Sequence, residues 1–339
     1  MKGKKASYDK QYSVDNPVNY ALLPAISLFF WVIAYKASTG YPMQGDESAT
    51  PLWNFICTGM QHKSIAYTVG ALLMLGGAFL LHRTNYMLAI IREKTIMPFL
   101  LYIFFTSSNP DGLPLNPATP GMLCLTLAFY QLFLSYHDSG AILRAFNIGL
   151  LIGLGSLTRV HMLWFIPVFW WGMYNFNILS LRTFLASLVG AGVVYWFLLG
   201  WCVVSHDFTS FSLPFASLSE MGAGNTGDPE PSGWVYLLFV AFLSVIAIAN
   251  ILLHEHDDSL RTRKYLFFLI GFLIITSVLF FMYRQYSVEF LNIACIPISV
   301  LTAHFFTVQK GRKTLRFYYI LIILFIVTSL YLNLYGYIY

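Results

Sequence analysis

The chain alternates almost end to end between apolar runs and short polar connections, and that alternation leaves few folds open. A helix crosses the roughly 30 Å hydrocarbon layer with about 20 apolar residues, because each backbone N–H and C=O must be satisfied within the segment. About eleven runs, within a range of roughly 9 to 12, can be drawn. They centre near Phe29, Leu73, Leu101, Leu127, Leu151, Val168, Val193, Phe242, Ile274, Ile298 and Leu324. The expected class is an all-α integral membrane protein, a polytopic helical bundle forming one membrane-embedded domain over residues 1–339. Its connections are too short to hold a separate soluble domain. The run Met97 to Phe105 is short, and only Thr158 to His161 separate the runs around Leu151 and Val168.

Charge is scarce: 10% of residues are charged and 58% hydrophobic, against roughly 25% charged in soluble domains. A net charge of +5 could suggest nucleic acid, but the cations form small groups between apolar runs and make no single stripe. That is the positive-inside pattern of a membrane protein. Lys2, Lys4, Lys5 and Lys10 precede a first run that lacks a small-residue cleavage site, so it reads as an uncleaved span with a cytoplasmic N-terminus. The setting expected is the inner membrane of a bacterium. The four cysteines, Cys57, Cys124, Cys202 and Cys295, have no paired spacing and suggest neither a disulfide framework nor a thiolate metal site.

If every run crosses, most Arg and Lys fall on the inner side, leaving Lys36, Lys63, Arg159 and Arg284 outside. Asp46, Glu47, Asp111, Asp207, Glu220, Asp228, Glu230 and Glu289 also map outside. Acids have little influence on insertion, so their concentration there points to function on that face. The first outer loop, residues 37–63, carries Asp46-Glu47. It then offers Leu52, Phe55, Ile56 and Met60 at helical spacing, which predicts a short interfacial helix opened by Thr50 and Pro51. A second loop, Ser107 to Pro120, holds four prolines and should be irregular. The third, residues 206–233, is rich in Ser, Gly and Pro and should be flexible.

Three clusters can carry chemistry. Adjacent carboxylates Asp46 and Glu47 could coordinate a divalent metal ion or act as general base toward a hydroxyl; the plain alternative is a pair of solvated loop acids. Arg159 and His161 sit between two apolar runs, where an arginine fork can bind a lipid phosphate or simply snorkel to the interface. Tyr283, Arg284, Tyr286 and Glu289 form a third group, able to hold a phosphate while rings stack on a sugar, or to serve as ordinary interfacial residues. By contrast, His254-Glu255-His256-Asp257-Asp258 reads as a solvated inner linker, and His304 as a hydrogen-bonded core residue. No P-loop, HExxH or GxSxG pattern occurs, which argues against an ATP-driven pump or hydrolases of those kinds.

The stretch from Ile148 through Leu157-Thr158-Arg159 to Pro167 resembles a recurrent segment of the GT-C superfamily, polytopic glycosyltransferases that use polyprenyl-phosphate sugars. Asp46-Glu47 occupies the place of that superfamily's catalytic acid in the first outer loop. Glu289-Phe-Leu-Asn-Ile-Ala-Cys-Ile-Pro297 is loosely similar to its penultimate-helix segment. The chain also resembles a bacterial family of multi-pass membrane proteins. The GT-C resemblance implies a sugar transferred from a polyprenyl-phosphate lipid to an envelope acceptor. It implies the lipid phosphate on Arg159 with Arg284 as second contact, Asp46 orienting or deprotonating the acceptor, and Glu47 supporting it or holding a metal.

Two other classes compete with this expectation. A transporter or flippase of a lipid-linked or anionic solute would favour internal repeats and charges deep within spans, and no clear repeat is visible. A non-catalytic subunit of an envelope assembly, working with partner proteins, would not require the outer charges to converge.

Overall fold

A computed structural model describes residues 14, 16–37, 50–109, 112–113, 115–138, 140–206, 208–219, 231–254, 256, 258–308 and 311–338. Among them no β-strand occurs, and the regular elements are helices. In chain order these are α1 (Pro17–Ala37), α2 (Pro51–Gly59), α3 (Lys63–Leu88), α4 (Met97–Ser108), α5 (Ala118–Leu134), α6 (Ile142–Ser156), α7 (Phe165–Asn175), α8 (Leu181–Ser205), α9 (Thr209–Ala216), α10 (Pro231–Leu253), α11 (Leu260–Met282), α12 (Ser287–Val308) and α13 (Arg312–Ile338). Short 3-10 turns, Val160–Trp164 and Arg284–Tyr286, precede α7 and α12.

Each of the eleven centres read from the sequence falls on one of these helices. Among the described residues, six helices are long and apolar enough to cross a membrane, so the protein is a multi-pass helical membrane protein. α4 has 12 residues, about 18 Å of helix at the usual rise, which is short of the hydrocarbon thickness.

The helix ends follow local chemistry. Ser180 opens α8 as a capping box, accepting from the Thr183 N–H while its own N–H bonds the Thr183 hydroxyl, and Ser259 accepts from the Thr262 N–H at α11. The closest helix pairing joins α6 and α8. A Cβ at Gly149 would overlap the Ser187 carbonyl, and one at Gly190 the Phe146 carbonyl. Small residues thus let two backbones approach, the usual way helices associate where no hydrophobic drive separates protein from lipid.

α12 lies at the centre, buried along nearly its whole length. Beside it, α5, α7 and α11 share an aromatic core, with Phe133 stacked on Tyr265 at 4.6 Å and Phe165 on Phe272 at 4.7 Å.

The connections sort into two ends. Thr50 reaches Leu157, Asn109 reaches Asn292 and Tyr283 reaches Leu218, which gathers the connections after α1, α4, α6, α9 and α11 at one end. At the other, Asn85 approaches Thr95, Arg144 pairs with Asp138, Lys264 donates to the Asn175 carbonyl, and His304 meets Asp258.

The first loop's helix forms over Pro51–Gly59 with Thr50 at its N-cap and Pro51 in its first turn. Its packed face matches the expected one in part: Ile56 and Met60 pack on Trp53, Cys57 and Leu115, which are buried, whereas Leu52 and Phe55 are exposed, Phe55 at 75%. The third loop contains the helix α9, which its composition did not suggest.

Candidate functional site

α6 ends where the Ser156 and Thr158 hydroxyls turn back onto the Gly153 and Gly155 carbonyls. Arg159 then takes extended backbone, φ −148° and ψ 111°, which points the chain into the bundle end before the 3-10 turn starts. On the facing side, α11 stops at Met282, and Glu289 lies in the first turn of α12, where a carboxylate is favoured by the helix N-terminus.

These two segments meet through a buried ion pair. Arg159 NH2 lies 2.6 Å from Glu289 Oε1, with side chains 6% and 11% exposed, and the guanidinium sits 4.4 Å from the Tyr286 ring centre. Charges removed from water this far persist only when paired and hydrogen-bonded. His161 packs between Tyr283 and Tyr286, with ring centres at 4.6 and 4.5 Å. Its Nε2 donates to the Ser217 carbonyl at 3.3 Å, which leaves Nδ1 a buried acceptor with no hydrogen-bond partner among the described residues. Burial pushes the imidazole down to about 4, the charge of Arg159 adds to that, and the Ser217 bond acts against it. His161 is therefore neutral at pH 7. Tyr283 accepts from Trp164 Nε1 at 3.1 Å and donates to the Leu218 carbonyl at 2.7 Å.

Arg159, His161, Tyr283, Tyr286 and Glu289 thus form one cluster. Arg284 does not join it: its side chain is exposed and makes no ion pair among the described residues. Asp46 and Glu47 lie outside the described residues. Thr50, three residues after Glu47, donates its hydroxyl to the Leu157 carbonyl, so the first loop is anchored two residues before Arg159. Among the described residues no three His, Cys, Asp or Glu side chains converge, and the metal reading of Asp46 and Glu47 lies outside those residues.

Several members carried no sequence signal. Ser217 and Leu218 contribute only carbonyls, and their role depends on α9 folding over the cluster. Asn292, three residues after Glu289 on the same helix face, binds elsewhere, accepting from Asn109 Nδ2 at 2.6 Å. At the opposite end, Asp258 is a correction to the solvated-linker reading. Its side chain is 9% exposed, and Oδ2 lies 3.1 Å from His304 Nε2. That is ion-pair distance, although the angle falls short of hydrogen-bond geometry. His254 and His256 of the same stretch are exposed.

Beside the cluster, an apolar groove of about 620 Å³ opens on the outside of the bundle between α2, α6 and α8, lined among others by Phe55, Leu154, Leu157, Phe197 and Trp201. Its upper end is Leu157, so its hydrocarbon wall leads to the turn that presents Arg159. No family model, no curated protein and no solved structure matches this chain.

Proposed function

We propose that the chain is a GT-C-like glycosyltransferase of a bacterial inner membrane, transferring a sugar from a polyprenyl-phosphate donor to an envelope acceptor at the outer face. In this reading about eleven helices cross, the N-terminus is cytoplasmic, and the end holding Arg159 faces outward because the basic connections lie at the other.

The observation that supports the reading is an apolar groove whose wall includes Leu157, two residues before the buried Arg159 in the chain. An isoprenoid chain requires an apolar channel open to the bilayer, and its phosphate requires a cation at the channel's head. The groove's 620 Å³ falls within the roughly 300–1,000 Å³ of ordinary ligand sites, and the Leu157 to Arg159 turn links the two requirements.

In the transfer, the sugar C1–O bond to phosphate breaks as the acceptor oxygen bonds C1. The acceptor proton passes to the Asp46 carboxylate, and the lipid phosphate leaves with its charge on Arg159, which exchanges its Glu289 partner for the phosphate. Stabilising the leaving group and aligning the acceptor are the main needs of such chemistry. Tyr286 keeps the guanidinium plane in place, and neutral His161 offers Nδ1 to a sugar or acceptor hydroxyl.

The test is mass spectrometry of envelope glycolipids and glycoproteins from cells with the protein, without it, and with Asp46→Asn. One glycan should vanish in both altered strains while Asp46→Asn protein inserts at normal levels; unchanged glycans in the strain lacking the protein overturn the reading.

A second reading has its own observation. Close polar contacts lie at both ends of α12, the Arg159–Glu289 ion pair at one and Asp258 against His304 at the other, as the two gates of a transporter for an anionic solute would. Uptake or efflux of a labelled anionic lipid by proteoliposomes, without glycan change, would favour it.

A further inference from the structure

A second apolar groove, of about 470 Å³, lies between α10, α11 and α12, and its lining includes Phe290, the residue after Glu289. It extends from Phe281 and Phe290 near the clustered end to Ile274 and Ile298 in the middle of their helices. Its rim is hydrocarbon that meets the bilayer: Leu238 is 66% exposed and Phe281 71%. Phe290 joins groove to cluster, since it also packs on His161 and Tyr283, with ring centres at 6.3 and 6.2 Å.

Phe281 and Phe290, both lining this groove, are joined in the chain by the 3-10 turn Arg284–Tyr286, which carries Arg284. Arg284 is exposed, has no anionic partner among the described residues, and is one of few cations at that end. An apolar channel headed by an uncommitted arginine complements one kind of molecule: a lipid whose head bears phosphate, with the fork on the phosphate and the chains along the helices.

We propose that this groove holds a phosphate-headed membrane lipid and that this lipid is the acceptor. The acceptor role rests on the glycosyltransferase reading. One hydrocarbon groove suffices for a donor with a soluble or protein acceptor; two grooves, one lined by Leu157 close in the chain to Arg159 and the other by Phe290 next to Glu289, suit two lipid substrates. The reaction stays balanced, because a hydroxyl on the lipid head loses its proton to Asp46 and gains the sugar C1, and the donor leaves as polyprenyl phosphate.

The experiment has two arms. In the first, purified protein in nanodiscs is irradiated with diazirine-bearing phosphatidylglycerol or with the matching phosphatidylcholine, and peptides of α10 to α12 are mapped. Wild-type protein should be labelled several-fold more by phosphatidylglycerol, Arg284→Gln should bring the two probes level, and Ala241→Trp, a side chain placed in the groove mouth, should lower both. Equal labelling by both probes in wild type, or a preference that survives Arg284→Gln, means annular lipid only and overturns the site. Excess free inorganic phosphate should not compete; competition that abolishes the preference would assign Arg284 to a soluble anion and also overturn it.

In the second arm, the glycan that disappears in cells lacking the protein is sought in lipid and protein fractions. Loss from the lipid fraction supports the acceptor. Loss from the protein fraction alone overturns the acceptor while leaving the transferase reading intact, and no loss overturns both, with the labelling still deciding whether the lipid binds.

Discussion

Arg159 and Glu289 are joined at 2.6 Å across the end of the bundle, and the pair locks the turn after α6 to the first turn of α12. The two residues tie separate parts of the chain together, so the pair's chemistry and the fold's integrity must be separated by experiment.

Removing one charge leaves the other buried, at about 3–5 kcal/mol, whereas replacing both by apolar groups can be nearly neutral. Glu289→Leu should therefore lower the melting temperature of the detergent-purified protein well below wild type. The double variant Arg159→Met with Glu289→Leu should recover most of that loss and still make no glycan. A double variant as unstable as the single one would show that the pair stabilises through more than mutual charge.

The pH dependence follows from His161. An unfolded histidine takes up a proton near 6.5 and the native one resists until about 4, so the unfolded state binds more protons between those values. Stability from this group is complete above about pH 6.5 and falls as pH drops toward about 4. Melting curves at pH 7 and pH 5 should show the decline in wild type and a smaller one in His161→Phe. Equal declines would remove His161 as the source.

Close packing of α6 on α8 makes glycine positions unequal. A side chain at Gly149 meets the Ser187 carbonyl, while a Cβ at Gly192 on α8 meets nothing. In fluorescence-detected size-exclusion chromatography Gly149→Leu should aggregate and Gly192→Leu should elute as wild type.

Orientation can be read with membrane-impermeant maleimide in a Cys124→Ala background, because Cys57, Cys202 and Cys295 are buried whereas Cys124 is half-buried. Arg284→Cys should react in intact cells, and His256→Cys, exposed at the other end of α11, only after lysis. The opposite order would invert the topology and place the cluster on the cytoplasmic side.

Apolar spacing located the helices because membrane insertion is a local, composition-driven event; all eleven centres lie on helices. The cluster was partly legible for a related reason: Arg159, His161, Tyr283, Tyr286 and Glu289 stand out as ionisable or aromatic groups in an apolar chain. What escaped was decided by tertiary neighbours. Which face of α2 is covered depends on Leu115, Asp258 folds inward because His304 waits there, and Arg284 turns away although its flanking tyrosines turn in. None of those choices leaves a mark in local spacing.

The Arg159–Glu289 pair and the Asp258–His304 contact on α12 also bear on how the protein is made. Glu289 and His304 are costly passengers in a helix entering the bilayer, and their partners, Arg159 and Asp258, both come earlier in the chain. Synthesis runs from the N-terminus, so each counter-charge is already in place when α12 emerges from the ribosome. A chain permuted to deliver α12 first should therefore insert less efficiently, which a glycosylation-tag insertion assay would measure.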